Sequence, residues 1–150
     1  MEKVFEDYFS ELQADMVAIC LEYVEHKADD IFIYCSYEPK MFVFDVFYRI
    51  NGKLVHKNQL NHAVEQHIYD VSSDRQNAVL KLGNENLKSI HKKCEEFNRD
   101  MPTEIKIHYD VKENSLKAHY KYELVYSHVN ELLPDDIFDS WFDDVKNSNL

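Results

Sequence analysis

A chain of 150 residues with 28 acidic and 17 basic side chains carries a net charge of −11, a balance that repels phosphate backbones and attracts basic proteins. Hydrophobic residues make up 45% of it, enough for a sound core in one domain spanning residues 1–150, and its two glycines leave no Gly-rich phosphate loop. The acidic start Met1-Glu-Lys-Val-Phe-Glu-Asp7 lacks the apolar run of a signal peptide, and no stretch approaches the roughly 18 apolar residues that span a membrane, so a cytoplasmic protein is expected.

The acids are concentrated at the two ends. Residues 1–30 hold nine acids and two bases, and residues 131–150 hold six acids and one base. The hundred residues between are nearly neutral.

Residues 3–26 read as a helix, because Phe5, Phe9, Leu12, Met16, Ile19, Cys20 and Tyr23 recur at three- and four-residue steps with acids between them. Lys27–Asp30 breaks that pattern. Ile31–Tyr37 is a short apolar and aromatic run that reads as a strand, and Glu38-Pro39-Lys40 is a turn. Met41–Ile50 is the clearest strand, and Asn51-Gly52 is a two-residue hairpin signal, since a type I′ turn needs positive φ at both positions. Lys53–Asn61 returns as a third, more polar strand. His62–Tyr69 is read either as a short helix or as a connection.

Ser72-Ser73-Asp74 offers helix N-caps, and Arg75–Asn98 follows as a helix with Val79, Leu82, Leu87, Ile90, Cys94 and Phe97 facing inward. Gly83 costs about 1 kcal/mol there against Ala and allows a kink. Thr103–Val111 and Ser115–Tyr126 form a second hairpin, with Ile105, Ile107 and Tyr109 on a dry face and Glu104, Lys106 and His108 on a wet one. The last helix starts near Pro134, with Asp135 and Asp136 in its first turn, where the helix dipole favours acids. Ile137, Phe138, Trp141, Phe142 and Val145 make its buried stripe, and disorder is expected only at Lys146–Leu150. The order α-β-β-β-α-β-β-α predicts an α+β domain: a mostly antiparallel sheet of about five strands with helices on one face.

The chemistry-bearing residues lack the spacings that catalysis or metal binding requires. The three cysteines, Cys20, Cys35 and Cys94, are odd in number and far apart, and read as free, buried or half-buried thiols. His62 and His67 are about 140° apart around a helix and do not share a face. His108 and His119 alternate with charged residues on the wet side of the second hairpin, where they would oppose each other as a loose two-His site. We read them as solvated, with no metal and no cofactor expected. Paired acids such as Asp135-Asp136 and Asp143-Asp144 lie on an exposed helix and not around a pocket, and no nucleophile, zinc or phosphate-loop motif is present. Lys106, Lys117 and Lys121 on the hairpin are interleaved with Glu104, Asp110, Glu113 and Glu123, so direct nucleic-acid binding is not expected either.

Four stretches resemble the YezG-like family of bacterial immunity proteins, the antitoxins of polymorphic, often LXG-type, secreted toxins. They are Ile31-Phe-Ile-Tyr-Cys-Ser-Tyr-Glu38, then Phe42-Val-Phe-Asp-Val-Phe-Tyr48 with Asn51-Gly-Lys53, then Pro102–Val111 continued by Leu116-Lys-Ala-His-Tyr-Lys-Tyr-Glu123, and Asp136-Ile-Phe-Asp-Ser-Trp-Phe142. The stretch ending in Tyr120-Lys-Tyr-Glu123 is the most specific. Glu25–Asp30 departs from the family pattern, having neither the Pro nor the Trp found before its first strand.

The resemblance implies a binder and not a catalyst: an immunity protein that occludes a cognate toxin domain, often a nuclease, without contacting nucleic acid or membrane. We place the toxin contact on the acidic C-terminal helix, at Glu131, Asp135, Asp136, Asp139, Asp143 and Asp144, with the N-terminal helix as the competing acidic site. The oligomeric state is open, and a homodimer is compatible with the pattern. The rival expectations are a small enzyme using His108, His119 and nearby acids, and an adaptor that binds a partner without inhibiting it.

Overall fold

The computed structural model describes residues 3–39 and 41–148. The expected order is found, with one short addition. Helix α1 (Phe5–Tyr23) is followed by strands β1 (Asp30–Glu38), β2 (Met41–Ile50) and β3 (Lys53–His56). A 3-10 segment (Lys57–His62), helix α2 (Ser73–Glu96), strands β4 (Glu104–Asp110) and β5 (Ser115–Lys121), and helix α3 (Pro134–Ser148) complete it. The protein is α+β, with a five-stranded sheet in the order β3-β2-β1-β4-β5, antiparallel at every pairing.

Local sequence accounts for most boundaries. The Val4 N–H donates to the Asp7 carboxylate at 3.1 Å, which fixes the start of α1. Glu25 and His26 take positive φ just after its end. Asn51 and Gly52 both have positive φ, as the hairpin signal requires, and β2 and β3 leave them in register. The Ser72 hydroxyl accepts from the Arg75 N–H at 3.3 Å and starts α2. Lys40, part of the turn expected at Glu38–Lys40, lies outside the described residues.

The sequence pattern predicts helices on one face, and α1 and α2 obey it while α3 does not. Ile31, Ile33 and Cys35 of β1 face α1 and α2, in a core shared with Phe44, Val46, Tyr48, Ile105 and Ile107. Phe32 and Tyr34, one residue out of phase, face the other way with Phe47 and are covered by Phe138, Phe142 and Val145 of α3. The cause is the composition of β1. It is apolar at both parities, so it must be buried on both faces.

Other departures are smaller. The third strand ends at His56 rather than Asn61, because the 3-10 segment takes over at Lys57, whose ammonium turns back to Asp45 at 2.9 Å. Of His62–Tyr69, His62 closes the 3-10 segment and the rest is a connection and not a helix, though Tyr69 is buried. Leu82 and Phe97 are exposed instead of inward. The inward position belongs to Gly83, where an added Cβ would run into the Phe44 ring. Gly83 therefore serves close packing of α2 on β2, and α2 runs through it as one helix. Lys146–Ser148 are helical; Asn149 and Leu150 lie outside the described residues. The three cysteines are free and buried, and burial raises the thiol pKa at each. No described helix is long and apolar enough to cross a membrane.

Candidate functional site

Helix α3 forms because its two ends and its stripe agree. Pro134 opens it, and Asp136 accepts from the Leu133 N–H at 2.9 Å. Phe138, Phe142 and Val145 recur on one side and are buried, with Ile137 and Trp141 half-buried beside them. Each full burial contributes about 1.5–3 kcal/mol. The seat is aromatic: Phe47 meets Trp141 at 5.0 Å, Phe142 at 5.1 Å and Phe138 at 5.6 Å, all edge to face. His56 stacks on Phe142 at 3.9 Å.

The segment from β5 to α3 is held by one buried carboxylate. Glu38 accepts from the N–H groups of Val125 and Ser127 at 3.0 Å each, and from that of Tyr126 at 3.5 Å. Burial pushes the Glu38 pKa up, but hydrogen bonds from Ser127, Val125 and Tyr126 outweigh it and leave the carboxyl below its ordinary value. The Tyr126 and Ser36 hydroxyls are bonded at 2.7 Å next to it.

All six acids expected at the contact surface are exposed. Asp136 is committed to the cap at Leu133. Glu131 lies before the helix with φ 67°. Asp135 and Asp139 border a shallow cleft with Asp45, His56 and Lys57. At about 100° per residue, Asp139 and Asp143 fall on the side of α3 away from the sheet. Neither they nor Asp144 form an ion pair among the described residues.

Four of the five acids of α1 are engaged within the chain, and the fifth, Asp15, is exposed without a partner among the described residues. Glu6 pairs with Arg99 at 2.8 Å, Glu11 with Lys3 at 3.0 Å and Glu22 with Arg75 at 3.1 Å, and Asp7 caps its own helix. Glu2 lies outside the described residues. Of the two acidic helices, α3 leaves the larger set of exposed carboxylates without a partner among the described residues: Asp135, Asp139, Asp143 and Asp144 against Asp15 alone on α1.

Beside α3, on the same face of the sheet, β5 is exposed and β4 is only partly covered, with Glu104 buried and Lys106 and His108 half-buried. A groove of about 500 Å³ runs there, lined by Phe32, Glu104, Lys106, His119, Lys121 and Trp141 among others. In register, Glu104 faces Lys121, Lys106 faces His119 and His108 faces Lys117. His108 and His119 are thus diagonal neighbours and do not oppose each other. His108, which lines the same groove as His119, stacks on Phe32 at 4.6 Å and bonds Asp30 at 2.8 Å. Among the described residues, no group of three or more His, Cys, Asp and Glu is placed to hold a metal ion.

Glu104 is the residue that sequence reasoning misplaced. The strand alternation puts it on a wet face, yet it is 3% exposed, with Lys106 and Lys121 at 3.7 and 3.9 Å and its Oε2 unpartnered. The Tyr34 hydroxyl is also buried without a partner, and burial, then the charge of Glu104, raises its pKa. Lys106 rides over the Trp141 ring at 5.5 Å. The signal that locates this pocket is the second apolar parity of β1 together with the amphipathic α3, read as a pair. Neither the scan against family models nor the search of curated proteins finds a match to this chain.

Proposed function

We propose that this protein is an immunity protein, which binds a cognate secreted toxin domain inside the producing cell and blocks it stoichiometrically. The observation that carries the reading is the contrast between the acidic helices: Glu6, Glu11 and Glu22 of α1 are paired within the chain and only Asp15 is left free there, whereas Asp139, Asp143 and Asp144 on α3 are all exposed and unpaired among the described residues. A free acidic ridge fits a basic substrate groove, such as that of a nuclease, where it speeds encounter and excludes substrate. The resemblance of four stretches to the YezG-like immunity proteins points the same way.

In this reading the protein acts by occupancy and not by turnover, in the cytoplasm, with no cofactor. The helix is a rigid presenter, because its aromatic seat and the Glu38 clamp fix its position before the toxin arrives. The test is a titration of the toxin domain encoded next to this gene. A sharp endpoint near one equivalent, or near two where a dimer is the binding unit, supports the reading. Inhibition far below stoichiometry, or none at any ratio, contradicts it.

A further inference from the structure

The second face of the sheet is divided into an acidic ridge and a half whose outer strand, β5, is basic. One half carries α3 as a ridge with acids on its crest. In the other half β5 is open and presents Lys117, His119 and Lys121, with Lys106 half-buried on β4, Glu104 buried beneath the lysines and Asp110 held to the Glu113 N–H at the turn. Lys117 and His119 form no ion pair among the described residues, and the two lysines nearest Glu104 are held only loosely. Ridge and open half also match in length. Fifteen helical residues span about 22 Å, and the seven of β5 about 24 Å.

We propose that this face is a self-association surface, on which α3 of one copy lies over the open β4–β5 half of a second copy, and the reverse. A two-fold axis running along the step between α3 and β4 does this. It turns the second copy face to face with the first and exchanges left for right, so each ridge meets the other copy's open half. The contact is isologous and closes at two chains. Asp139 and Asp143 of each copy then face Lys117, His119 and Lys121 of the other, and Trp141 is covered at the centre.

Net charge opposes this association and local charge favours it. At about 0.15 M salt the Debye length is about 8 Å, so charges on distant surfaces are screened while pairs in contact are not. The local term prevails under those conditions. The inference stands apart from the toxin reading, since a second copy is its only ligand. It adds that a toxin seeking Asp139 and Asp143 competes with the second copy for them.

Charge exchange tests it. One variant carries Asp139→Lys and Asp143→Lys, and a second carries Lys117→Glu and Lys121→Glu; all four positions are exposed. Mass is measured by light scattering at tens of micromolar protein in about 0.15 M salt. The wild type is expected at twice the 17.9 kDa chain mass, and each variant alone at the single mass. An equimolar mixture of the two variants is expected to regain the double mass, because both ridge-to-groove contacts are again of opposite sign. That recovery also shows that both variants are folded. A monomeric wild type, a variant that stays dimeric, or a mixture that stays monomeric each overturns the proposal; the first would leave the groove to an acidic segment of another protein.

Discussion

The His56 ring lies flat on the Phe142 ring, with centroids 3.9 Å apart and planes within 13°. This stack joins the edge strand β3 to α3, and so makes the seat of the acidic helix sensitive to protonation. Burial lowers the His56 pKa from its ordinary 6.5, against the upward pull of Asp139 and Asp45. The folded state therefore binds fewer protons than the unfolded state between the lowered value and 6.5. The stability His56 contributes is present above 6.5 and is lost as pH falls through that window. Trp141, the single Trp, reports the seat of α3. Its fluorescence melt is expected to shift down between about pH 7 and about pH 5.5, and His56→Phe, which keeps a ring on Phe142, is expected to reduce that shift. An unchanged shift in the variant contradicts the assignment.

A second acid-sensitive step belongs to Glu38. Its carboxyl is held below its ordinary 4.5, so its contribution is complete above 4.5 and is lost as pH falls through the lower folded value. Glu38→Ala removes the acceptor for three backbone N–H groups, and is expected to cost roughly 3 kcal/mol or more in chemical denaturation. A cost below about 1 kcal/mol would show that the β5-to-α3 segment is held by something else.

Gly83→Ala separates helix propensity from packing. Propensity alone predicts a gain of about 1 kcal/mol. The Phe44 ring, which occupies the place of the new methyl, predicts overpacking and a loss of about 1–3 kcal/mol. The loss is expected to prevail and to shrink when Phe44→Leu is added. A stabilised single variant would mean that α2 stands farther from β2 than described.

Much of the fold was legible because it rests on short-range rules. Asn51-Gly52 gave its hairpin, Ser72 its cap, and Pro134 with Asp135 and Asp136 the start of α3. The placement of α3 was missed because it depends on a comparison across elements. Phe32 and Tyr34 look like ordinary members of one strand until Phe138 and Phe142 are seen to need a seat. The same miss hid the candidate site. Once α3 is on the second face, Glu104 changes from a wet residue to a buried one, and Lys106, His119 and Lys121 become the wall of a groove beside the acids. The pairing of the α1 acids with Lys3, Arg75 and Arg99 was equally hidden, since Arg99 is distant in sequence from Glu6.

The acids of α3 are expected to serve binding and not folding. Asp139→Asn, Asp143→Asn and Asp144→Asn together replace groups that are exposed and unpaired within the chain, and the triple variant is expected to keep wild-type stability within about 0.5 kcal/mol at protein concentrations too low for self-association. A larger loss would place these carboxylates in the fold's own energetics. Asp136 is left unchanged because it caps the helix.

The association rate of that same triple variant with the cognate toxin domain, followed across a salt series, is the most direct measurement of whether α3 is the toxin-binding face. Wild-type association is expected to be fast and to fall steeply with salt. The variant is expected to associate about tenfold more slowly at low salt, with a flatter salt dependence. Matched neutralisation of the exposed α1 acids Glu6, Glu11 and Asp15 is expected to change the rate little. Unchanged association of the α3 variant at low salt, with slowing by the α1 set instead, would contradict the assignment and move the contact to the N-terminal helix.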